Sequence, residues 1–551
     1  MSGGGQKSSG DPSDEPPGQP PVGAPPPTAT PAVAPRMDMA RGARRVGALT
    51  MMSRLLGLVR EQIFAVTLGA GVHSDAFLAA FRIPNLLRDL FAEGALSTAF
   101  VPTYVKSLRQ DGRAAAFALA NKVMTTLTLY LGAVALLAMI FPGPVVRVVA
   151  TGFSADQATL TADLVRVMMP FLPTISLAVV AMGALNAEGR YTAPALASSM
   201  FNVVAIIGGA VVWFVGPSPR WAVMVWAGMT LLGGLAQLLV QAPSLWRLGF
   251  RPRFRPDLFL RDPGTRRVAA LMAPATLGVA AVQINVVVST AFASHGAPGS
   301  ISWLVYAFRL MQLPIGVFGV AIATTTLTHL SRDAADGDGE ALGATLRRGL
   351  QMVLFLTIPS TVGLALLGQP IIRLIFEHGR FSPHATVETA RALAGYAVGL
   401  AAYSAIKVVA PAFYALGRTR VPLVASLSAV VANLLWNVLT FDRLGHVGLA
   451  LGTSIAAIVN LAVLVGAFQI QMRNLVTLAL LGGVARITVA AGVMAAAIWP
   501  LARWLPAVAP HGLAGNALAA LAPITVGAAV YFLTARLLGL PEARTLLRRF
   551  R

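Results

Sequence analysis

The chain has 551 residues, of which 56% are hydrophobic and only 12% are charged. Soluble proteins average about 25% charged residues, so the composition excludes an ordinary soluble protein and predicts an all-α polytopic membrane protein. Cysteine is absent, which excludes disulfides. The formal net charge of +21 would favour nucleic acid in a soluble chain. Here the arginines mostly lie between apolar runs, which indicates cytoplasmic loops and anionic lipid, with no nucleic-acid partner.

The first segment, residues 1–40, is rich in proline, glycine and serine. It holds no sustained apolar run, so we expect no signal peptide there. Such a composition predicts a disordered cytoplasmic tail without a role in the mechanism.

Apolar segments of roughly 20 or more residues, the length that a spanning helix needs, recur after Arg44 and predict about fourteen transmembrane helices. The second and eighth are interrupted by polar residues. Basic residues concentrate in alternate loops, and the positive-inside rule then places both termini in the cytoplasm. The predicted spans are 46–70, 75–104, 115–141, 157–186, 192–216, 221–246, 267–294, 299–330, 345–368, 385–415, 421–441, 446–471, 480–504 and 514–538.

Two short motifs recur at nearly one spacing. The tripeptide Ala80–Arg82 returns as Ala307–Arg309, 227 residues later, and Gly189–Ser198 resembles Gly417–Ser426, 228 residues later. The spacing predicts two homologous six-helix lobes with the same orientation, because six is an even number of spans. The alternative is chance similarity between helices rich in alanine and leucine.

The repeat divides the chain into segments. We call 41–248 the first half and 265–472 the second half. Residues 249–264 form a basic cytoplasmic linker, which is either a surface segment that meets anionic headgroups or simply a loop that sets topology. Residues 473–551 hold the last two helices and a basic C-terminus.

The first two spans carry charges that a lipid-facing helix would not retain, because each costs about 2.5–3.5 kcal/mol at the bilayer centre. Asp75, Arg82 and Asp89 are seven residues apart and therefore share a helical face. Glu61 lies on the first span, and Arg60 beside it is expected to point elsewhere. Five residues are expected to line or gate a cavity: Asp75, Arg82, Asn85, Glu93 and Gln312.

Arginine suits a phosphate ligand because its planar fork gives paired hydrogen bonds and never deprotonates. The alternative is internal pairing, Arg82 with Asp75 or Asp89 and Arg88 with Glu93, which we prefer for Arg82, Asp89 and Glu93. Ligand binding is preferred for four arginines that we expect to converge on one cavity: Arg54, Arg60, Arg88 and Arg309.

Other intramembrane polar groups give a weaker signal. Asn433 and Asn437 are four residues apart and, with Thr453, are weak candidates for a sodium site. No carboxylate accompanies them, so interhelical hydrogen bonding is the preferred reading. The sequence has no Walker loop, His/Glu metal cluster or catalytic acid pair, which predicts a transporter without a cofactor. Its driving force is left open between a sodium ion and the membrane potential.

Three stretches carry a resemblance to a known family: Ser53–Ile63, Asp75–Pro102 and Tyr306–Thr324. They closely resemble the MurJ/MviN family of lipid II flippases, within the multidrug/oligosaccharidyl-lipid/polysaccharide exporter superfamily. The resemblance implies fourteen helices in two lobes around a cationic cavity, with a lipid-tail groove at the last two helices. It matches the four arginines above to the family's cavity arginines, and Asp75 to its acidic residue.

Two departures from the family pattern stand in the second half. Where relatives often show YADRLMEFP, this chain has Phe308 in place of the aspartate and Gln312 in place of the glutamate. Any role of those carboxylates in balancing Arg309 or in gating is therefore in doubt here.

The resemblance implies a flippase in the bacterial inner membrane. It would move lipid II, the undecaprenyl-pyrophosphate-linked peptidoglycan precursor, from the cytoplasmic to the periplasmic leaflet by alternating access. Expected partners are lipid II, membrane lipids and, further, the cell-wall synthesis machinery. One alternative is a cation-coupled drug or oligosaccharide-lipid exporter of the same superfamily. Another is a membrane glycosyltransferase or ligase acting on the same lipid.

Overall fold

The fold is known from a computed structural model that describes residues 36–90, 95–472, 475–508, 510 and 512–549. The chain divides into two units, Met1–Arg44 and Arg45–Arg551. Throughout the described ranges the regular structure is helical, without strands, which confirms the predicted all-α class.

The helices follow one another along the chain with short connections. In order they are α1 (Arg36–Leu68), α2 (Val72–Arg88), α3 (Ala95–Gln110), α4 (Gly112–Ile140), α5 (Pro142–Val149), α6 (Ala155–Met168), α7 (Phe171–Ala187), α8 (Thr192–Val215), α9 (Pro219–Leu239), α10 (Ala242–Arg247), α11 (Pro263–Ser294), α12 (Ser300–Pro314), a π-helical segment (Ile315–Gly319), α13 (Val320–Ala335), α14 (Gly339–Phe376), α15 (Pro383–Ala415), α16 (Arg420–Met472), α17 (Leu478–Val508), α18 (Leu513–Leu537) and α19 (Pro541–Arg549).

Ten helical stretches among the described residues are long and apolar enough to cross a membrane. One of them, 420–471, contains both predicted spans 421–441 and 446–471. α16 is broken between these two spans at Gly445, whose φ is 54° and ψ −135°. The charged helices α1 and α2 are not among the ten. The multi-pass membrane architecture is confirmed, and the count of fourteen stays a prediction.

The two polar-interrupted spans each comprise more than one helical segment in the structure. The predicted span 75–104 comprises α2 and α3, and the predicted span 299–330 comprises α12, the π-helical segment and the start of α13. Pro314 stands at the end of α12. Proline removes a backbone donor and clashes with the preceding turn, and π-helical turns are frequent at functional sites.

The boundary of the predicted tail needs a correction. Residues 36–40 belong to α1 rather than to a disordered tail, because Pro35 is the last proline of the predicted tail and the methionines, alanines and arginines after it favour helix. The rest of the predicted tail, residues 1–35, lies outside the described residues, as does Glu93.

The last two long helices, α17 and α18, are held against α14. Phe355 of α14 packs on Tyr531 of α18, with ring centroids 5.2 Å apart. The Tyr531 hydroxyl donates to the Phe355 carbonyl at 2.6 Å, in a buried position. This contact attaches the C-terminal pair to the second half.

Candidate functional site

The starts of α2 and α12 are locked together by one carboxylate. Asp75 is 2% exposed. Its Oδ2 accepts from the Gly299 N–H at 2.7 Å, and its Oδ1 accepts from the Ser302 N–H at 2.8 Å and from the Ser302 hydroxyl at 2.6 Å. A carboxylate at the free donors of a helix N-terminus is favourable for both hydrogen bonding and the helix dipole.

The loops around this carboxylate continue the contact between the two halves. The Tyr306 hydroxyl donates to the Gly69 carbonyl at 3.2 Å, and the Arg380 N–H donates to the Val66 carbonyl at 2.9 Å. The Gly152 N–H donates to the Ser294 hydroxyl at 2.9 Å. We call this closed end of the molecule the outer seal, defined by Val66–Asp75, Gly152, Ser294–Ser302, Tyr306 and Arg380.

Two glycines make the approach in the outer seal possible. Gly69 has φ +70°, and a Cβ there would lie 2.4 Å from the Arg380 carbonyl oxygen. Gly379 has φ +59°, and a Cβ there would lie 2.5 Å from the Val66 carbonyl oxygen. Only glycine fits both the left-handed backbone and the close contact.

The outer seal joins positions that the sequence repeat makes equivalent. Asp75 and Ser302 are separated by 227 residues, the spacing that relates Arg82 to Arg309. In a two-fold relation, residues near the axis contact their own counterparts. The contact is what an axis between α2 and α12 produces, and the repeat itself stays a prediction.

Below the outer seal, two arginines from opposite halves share one glutamate. Arg60 Nη2 lies 2.5 Å from Glu61 Oε1, and Arg309 Nε lies 3.6 Å from the same oxygen. The side chain of Arg309 is 49% exposed, whereas that of Glu61 is 15% exposed. The Arg60 guanidinium also lies over the Phe201 ring, 5.5 Å from its centroid. Arg60 therefore does not point away from Glu61, and that expectation was wrong.

Arg82 belongs to the same group by charge. The charges of Arg309 and Asp89 act on its guanidinium. Its Nε is buried and has no hydrogen-bond partner among the described residues. The alternative pairing of Arg82 with Asp75 is wrong, because Asp75 is engaged in the outer seal, and no hydrogen bond joins Arg82 to Asp89 in the described chain. We call Arg60, Glu61, Arg82 and Arg309 the central arginine cluster.

Arg88 lies in a second group, between α2 and α11. Its Nη2 is 3.0 Å from Asp89 Oδ1, and Gln283 of α11 donates to Asp89 Oδ2 at 2.8 Å. The Thr276 hydroxyl donates to the Leu90 carbonyl at 3.2 Å. The alternative pairing of Arg88 with Glu93 falls on a residue outside the described chain. Asp89 therefore joins the two halves and also pairs with Arg88.

The other residues that the sequence predicts at the site make fewer contacts in the structure. Arg54 is exposed on α1, nearly two turns before Arg60, and no ion pair joins it to another described residue. Asn85 is half-buried and Gln312 is exposed, and within the described ranges neither makes a side-chain hydrogen bond. Phe308 packs on Tyr396, with ring centroids 5.3 Å apart. The structure thus brings Arg60 and Arg309 together, and the convergence of Arg54 and Arg88 stays a prediction.

The weak sodium candidates lie within α16. Asn433 and Asn437 are fully buried, and the Asn437 amide donates to Asn433 Oδ1 at 2.9 Å. Thr453 donates to the Leu449 carbonyl at 3.0 Å. The described residues contain no cluster of three or more His, Cys, Asp or Glu that could hold a metal ion. The two asparagines bond to each other on one helix, so the preferred interhelical hydrogen bond is not what the structure shows.

The sequence analysis did not predict two residues of the site. Ser302 receives Asp75, and its only signal was its position 227 residues after Asp75. Gln283 holds Asp89, and its signal was an amide inside an apolar span. Both act across the two halves, where sequence spacing gives no distance.

Comparisons with known proteins agree on one family. Residues 64–514 match the model of the family described as lipid II flippase MurJ. The chain is 36% identical over 428 residues to the lipid II flippase MurJ of Burkholderia cenocepacia, covering 77% of this chain and 82% of the relative. It is 35% identical over 507 residues to the probable lipid II flippase MurJ of Vibrio cholerae, covering 90% of this chain and 95% of the relative.

Solved structures give the same picture of the fold. A lipid II flippase MurJ in an inward closed conformation superposes with a TM-score of 0.76 at 26% identity, covering 89% of this chain and 98% of that one. An inward-facing multidrug resistance MATE transporter superposes with a TM-score of 0.63 at 16% identity, over 79% of this chain and 98% of that one. The second likeness concerns the fold alone.

Proposed function

The chain belongs to the lipid II flippase MurJ family and is a transporter rather than an enzyme, and from this premise we propose that its central arginine cluster binds the pyrophosphate of lipid II. The single observation that carries the proposal is the pair of guanidinium groups, Arg60 and Arg309, that meet on Glu61 from opposite halves.

The cluster has more positive charge than its own carboxylate can balance. Arg60 and Arg309 both pair with Glu61. Arg82 adds a third positive charge, and its Nε lacks a hydrogen-bond partner in the described part of the chain. A pyrophosphate presents several acceptor oxygens, and arginine binds such groups through paired hydrogen bonds. The incoming anion would take the place of Glu61 at one or both guanidinium groups.

The two ends of the molecule support alternating access. The outer seal is closed by Asp75, while Arg309 below it is half exposed. Loading therefore takes place from the other side of the membrane, and opening of the outer seal releases the lipid. The distribution of basic loops makes the loading side cytoplasmic, which implies the bacterial inner membrane, both termini inside, and delivery to the periplasmic leaflet for enzymes that build the cell wall.

For the driving force, the membrane potential has better support than sodium. A potential negative inside favours outward movement of the anionic pyrophosphate by about 2.3 kcal/mol per charge per 100 mV. The sodium candidates Asn433 and Asn437 use one amide hydrogen bond on each other, and the Thr453 hydroxyl donates to its own helix.

The cation-coupled exporter is a weaker candidate. It would be favoured by one buried carboxylate serving as a coupling site and by a cavity without clustered arginines. The buried carboxylate Asp75 already accepts hydrogen bonds from α12, and arginines do cluster, at Arg60, Arg82 and Arg309.

The function is tested by depleting the protein in its host and measuring lipid II at the outer face with an externally added enzyme that cleaves it. Depletion should abolish cleavage, and the wild-type chain should restore it. Arg309→Ala should fail at matched membrane levels, and Arg309→Lys should restore it partly, because lysine keeps the charge and loses the fork.

Arg332→Ala, at an exposed position of α13, serves as the matched control and should restore cleavage fully. Full restoration by Arg309→Ala would remove the central arginine cluster from the transport step. Unchanged cleavage on depletion would remove lipid II as the substrate.

A further inference from the structure

The linker between the two halves is an ordered segment that lies along α4. We call Phe250–Asp262 the strap. The Asn121 amide donates to the Arg251 carbonyl at 3.1 Å and accepts from the Arg253 N–H at 2.8 Å. Further along, the Thr126 hydroxyl accepts from the Asp257 N–H at 3.0 Å. Side chains of α4 thus satisfy the backbone of an extended segment.

The strap runs along α4 as far as Tyr130 and then turns back to Lys122. The Tyr130 hydroxyl donates to the Leu258 carbonyl at 2.5 Å. Tyr130 lies nine residues beyond Asn121, which is about 13 Å along a helix. The strap then comes back, because Asp262 pairs with Lys122, one residue after Asn121.

A tight turn reverses the strap at its tip. Asp257 accepts the Arg261 and Asp262 N–H groups at 2.9 and 3.0 Å. Leu260, at the turn, has φ 51°, a left-handed conformation that is uncommon for a residue other than glycine. The Asp257 carboxylate is thus bound inside the strap, and the Asp262 carboxylate is paired with Lys122 of α4.

The outward side of the strap combines aromatic rings with arginines. Phe254 is 76% exposed and Phe259 is 81% exposed. The Arg261 guanidinium lies over the Phe259 ring, 5.5 Å from its centroid. Within the described chain no carboxylate pairs with the arginines of this surface, which are all exposed: Arg251, Arg253, Arg255 and Arg261.

We propose that the strap is a membrane-interface anchor that binds anionic lipid headgroups through its arginines and inserts Phe254 and Phe259 at the headgroup–acyl boundary. The strap follows a spanning helix over about 13 Å. This length is greater than the roughly 5–10 Å to which interfacial apolar faces enter the bilayer. The arginines near Asn121 then lie at headgroup level, and the aromatic tip lies deeper.

Lipid fits this surface better than nucleic acid or an acidic protein. The tip is bound to Tyr130, in the apolar part of α4, a helix long and apolar enough to cross a membrane. Clusters of basic residues next to a spanning helix attract anionic lipid. Because the strap joins the two halves, the anchor holds their connection at the membrane surface. The inference does not rest on lipid II transport, and its test needs no lipid II.

The absence of native cysteine allows a direct depth measurement. A nitroxide is attached to Phe259→Cys in the full chain, reconstituted in vesicles of phosphatidylcholine with or without phosphatidylglycerol. Collision with oxygen and with a nickel chelate reports depth. We expect the label to lie below the phosphates and to lie deeper with phosphatidylglycerol. Ser331→Cys, exposed on α13, should stay aqueous in both vesicles.

A charge variant separates the arginines from the aromatic tip. Arg251→Gln, Arg253→Gln and Arg255→Gln together should abolish the phosphatidylglycerol dependence of the Phe259→Cys depth. The matched pair Arg332→Gln and Arg348→Gln, exposed elsewhere, should leave it unchanged. The proposal is overturned if the label is as accessible to nickel as the Ser331 control, or if its depth is the same in both vesicles.

Discussion

The outer seal and the central arginine cluster lie on the same helices, yet they treat charge in opposite ways. In the outer seal, Asp75 is 2% exposed and accepts three hydrogen bonds. In the cluster, Arg309 is half exposed and shares Glu61 with Arg60 at 3.6 Å. A buried charge that is fully hydrogen-bonded holds a structure together. Exposed charges in excess of their partners mark a place for a ligand.

An all-or-none labelling experiment tests which side of the membrane each end of the molecule faces. Ser218→Cys, exposed between α8 and α9, should react fully with an impermeant thiol reagent in intact cells. Ser331→Cys should not react until the membrane is permeabilised, because the positive-inside rule predicts that its basic loop is cytoplasmic. Reaction of Ser331→Cys in intact cells would invert the topology.

Breaking the outer seal should have the next largest effect. Asp75→Ala leaves the Gly299 and Ser302 N–H groups without their acceptor, and each unsatisfied buried group costs about 1–3 kcal/mol. The closed state should lose at least about 2 kcal/mol, roughly a thirtyfold change. The measurement is the labelling rate of Ser300→Cys, which is 1% exposed in the sealed state.

The control for the outer seal is Asp156→Ala, an exposed carboxylate at the start of α6. It should leave the labelling rate of Ser300→Cys at the wild-type value. Slow labelling in both variants would mean that Asp75 does not hold this end closed.

Arg82 tests this comparison because it combines features of both regions. Its Nε is buried, as Asp75 is in the outer seal, but it lacks a hydrogen-bond partner among the described residues. If it served internal pairing, its loss would lower protein abundance. With its Nε lacking a partner among the described residues, Arg82→Ala should instead weaken lipid II binding by about tenfold, the value of one charge-assisted hydrogen bond. Binding and membrane abundance are measured together, with Arg109→Ala as an exposed control. Reduced abundance with unchanged affinity would return Arg82 to a structural role.

The smallest effect is expected outside both regions, at Asp262. Burial raises the pKa of this carboxyl, but hydrogen bonds from Lys122 and Thr265 outweigh it and hold the pKa below 3.8. The pair therefore contributes stability above pH 3.8 and loses it as pH falls further. Asp262→Asn should lower the free energy of unfolding at pH 7 by at most about 1 kcal/mol, because the pair is partly exposed.

The difference between Asp262→Asn and wild type should shrink as pH falls below 3.8, measured by thermal unfolding in detergent. The labelling of Ser300→Cys should not change in this variant. A constant difference at all pH values would show that the carboxylate charge does not matter there.

The sequence predicted the helical membrane class and the importance of the charged second span because apolar length and intramembrane charge are local signals. It also located Arg309, through the tripeptide that repeats Ala80–Arg82. The structure also gives a contact for Phe308, where the chain departs from the family pattern. Its ring packs on Tyr396 and carries no charge that could balance Arg309.

Other parts of the site could not be predicted, for physical reasons. Neighbouring residues on a helix do not face each other, so Arg60 was expected to point away from Glu61. A long guanidinium can bend back to an adjacent carboxylate when Phe201 covers its flank. The partner of Asp75 is a helix N-terminus in the other half, and such a contact depends on how the halves pack.

The most direct measurement of the central claim is the affinity of purified protein for lipid II in wild type, Arg60→Ala and Arg309→Ala. Charge-assisted hydrogen bonds contribute about 1.5–3 kcal/mol each, so each variant should bind roughly tenfold to a hundredfold more weakly while folding normally. Wild-type affinity in both variants would contradict the claim that the two halves meet on the pyrophosphate through these arginines.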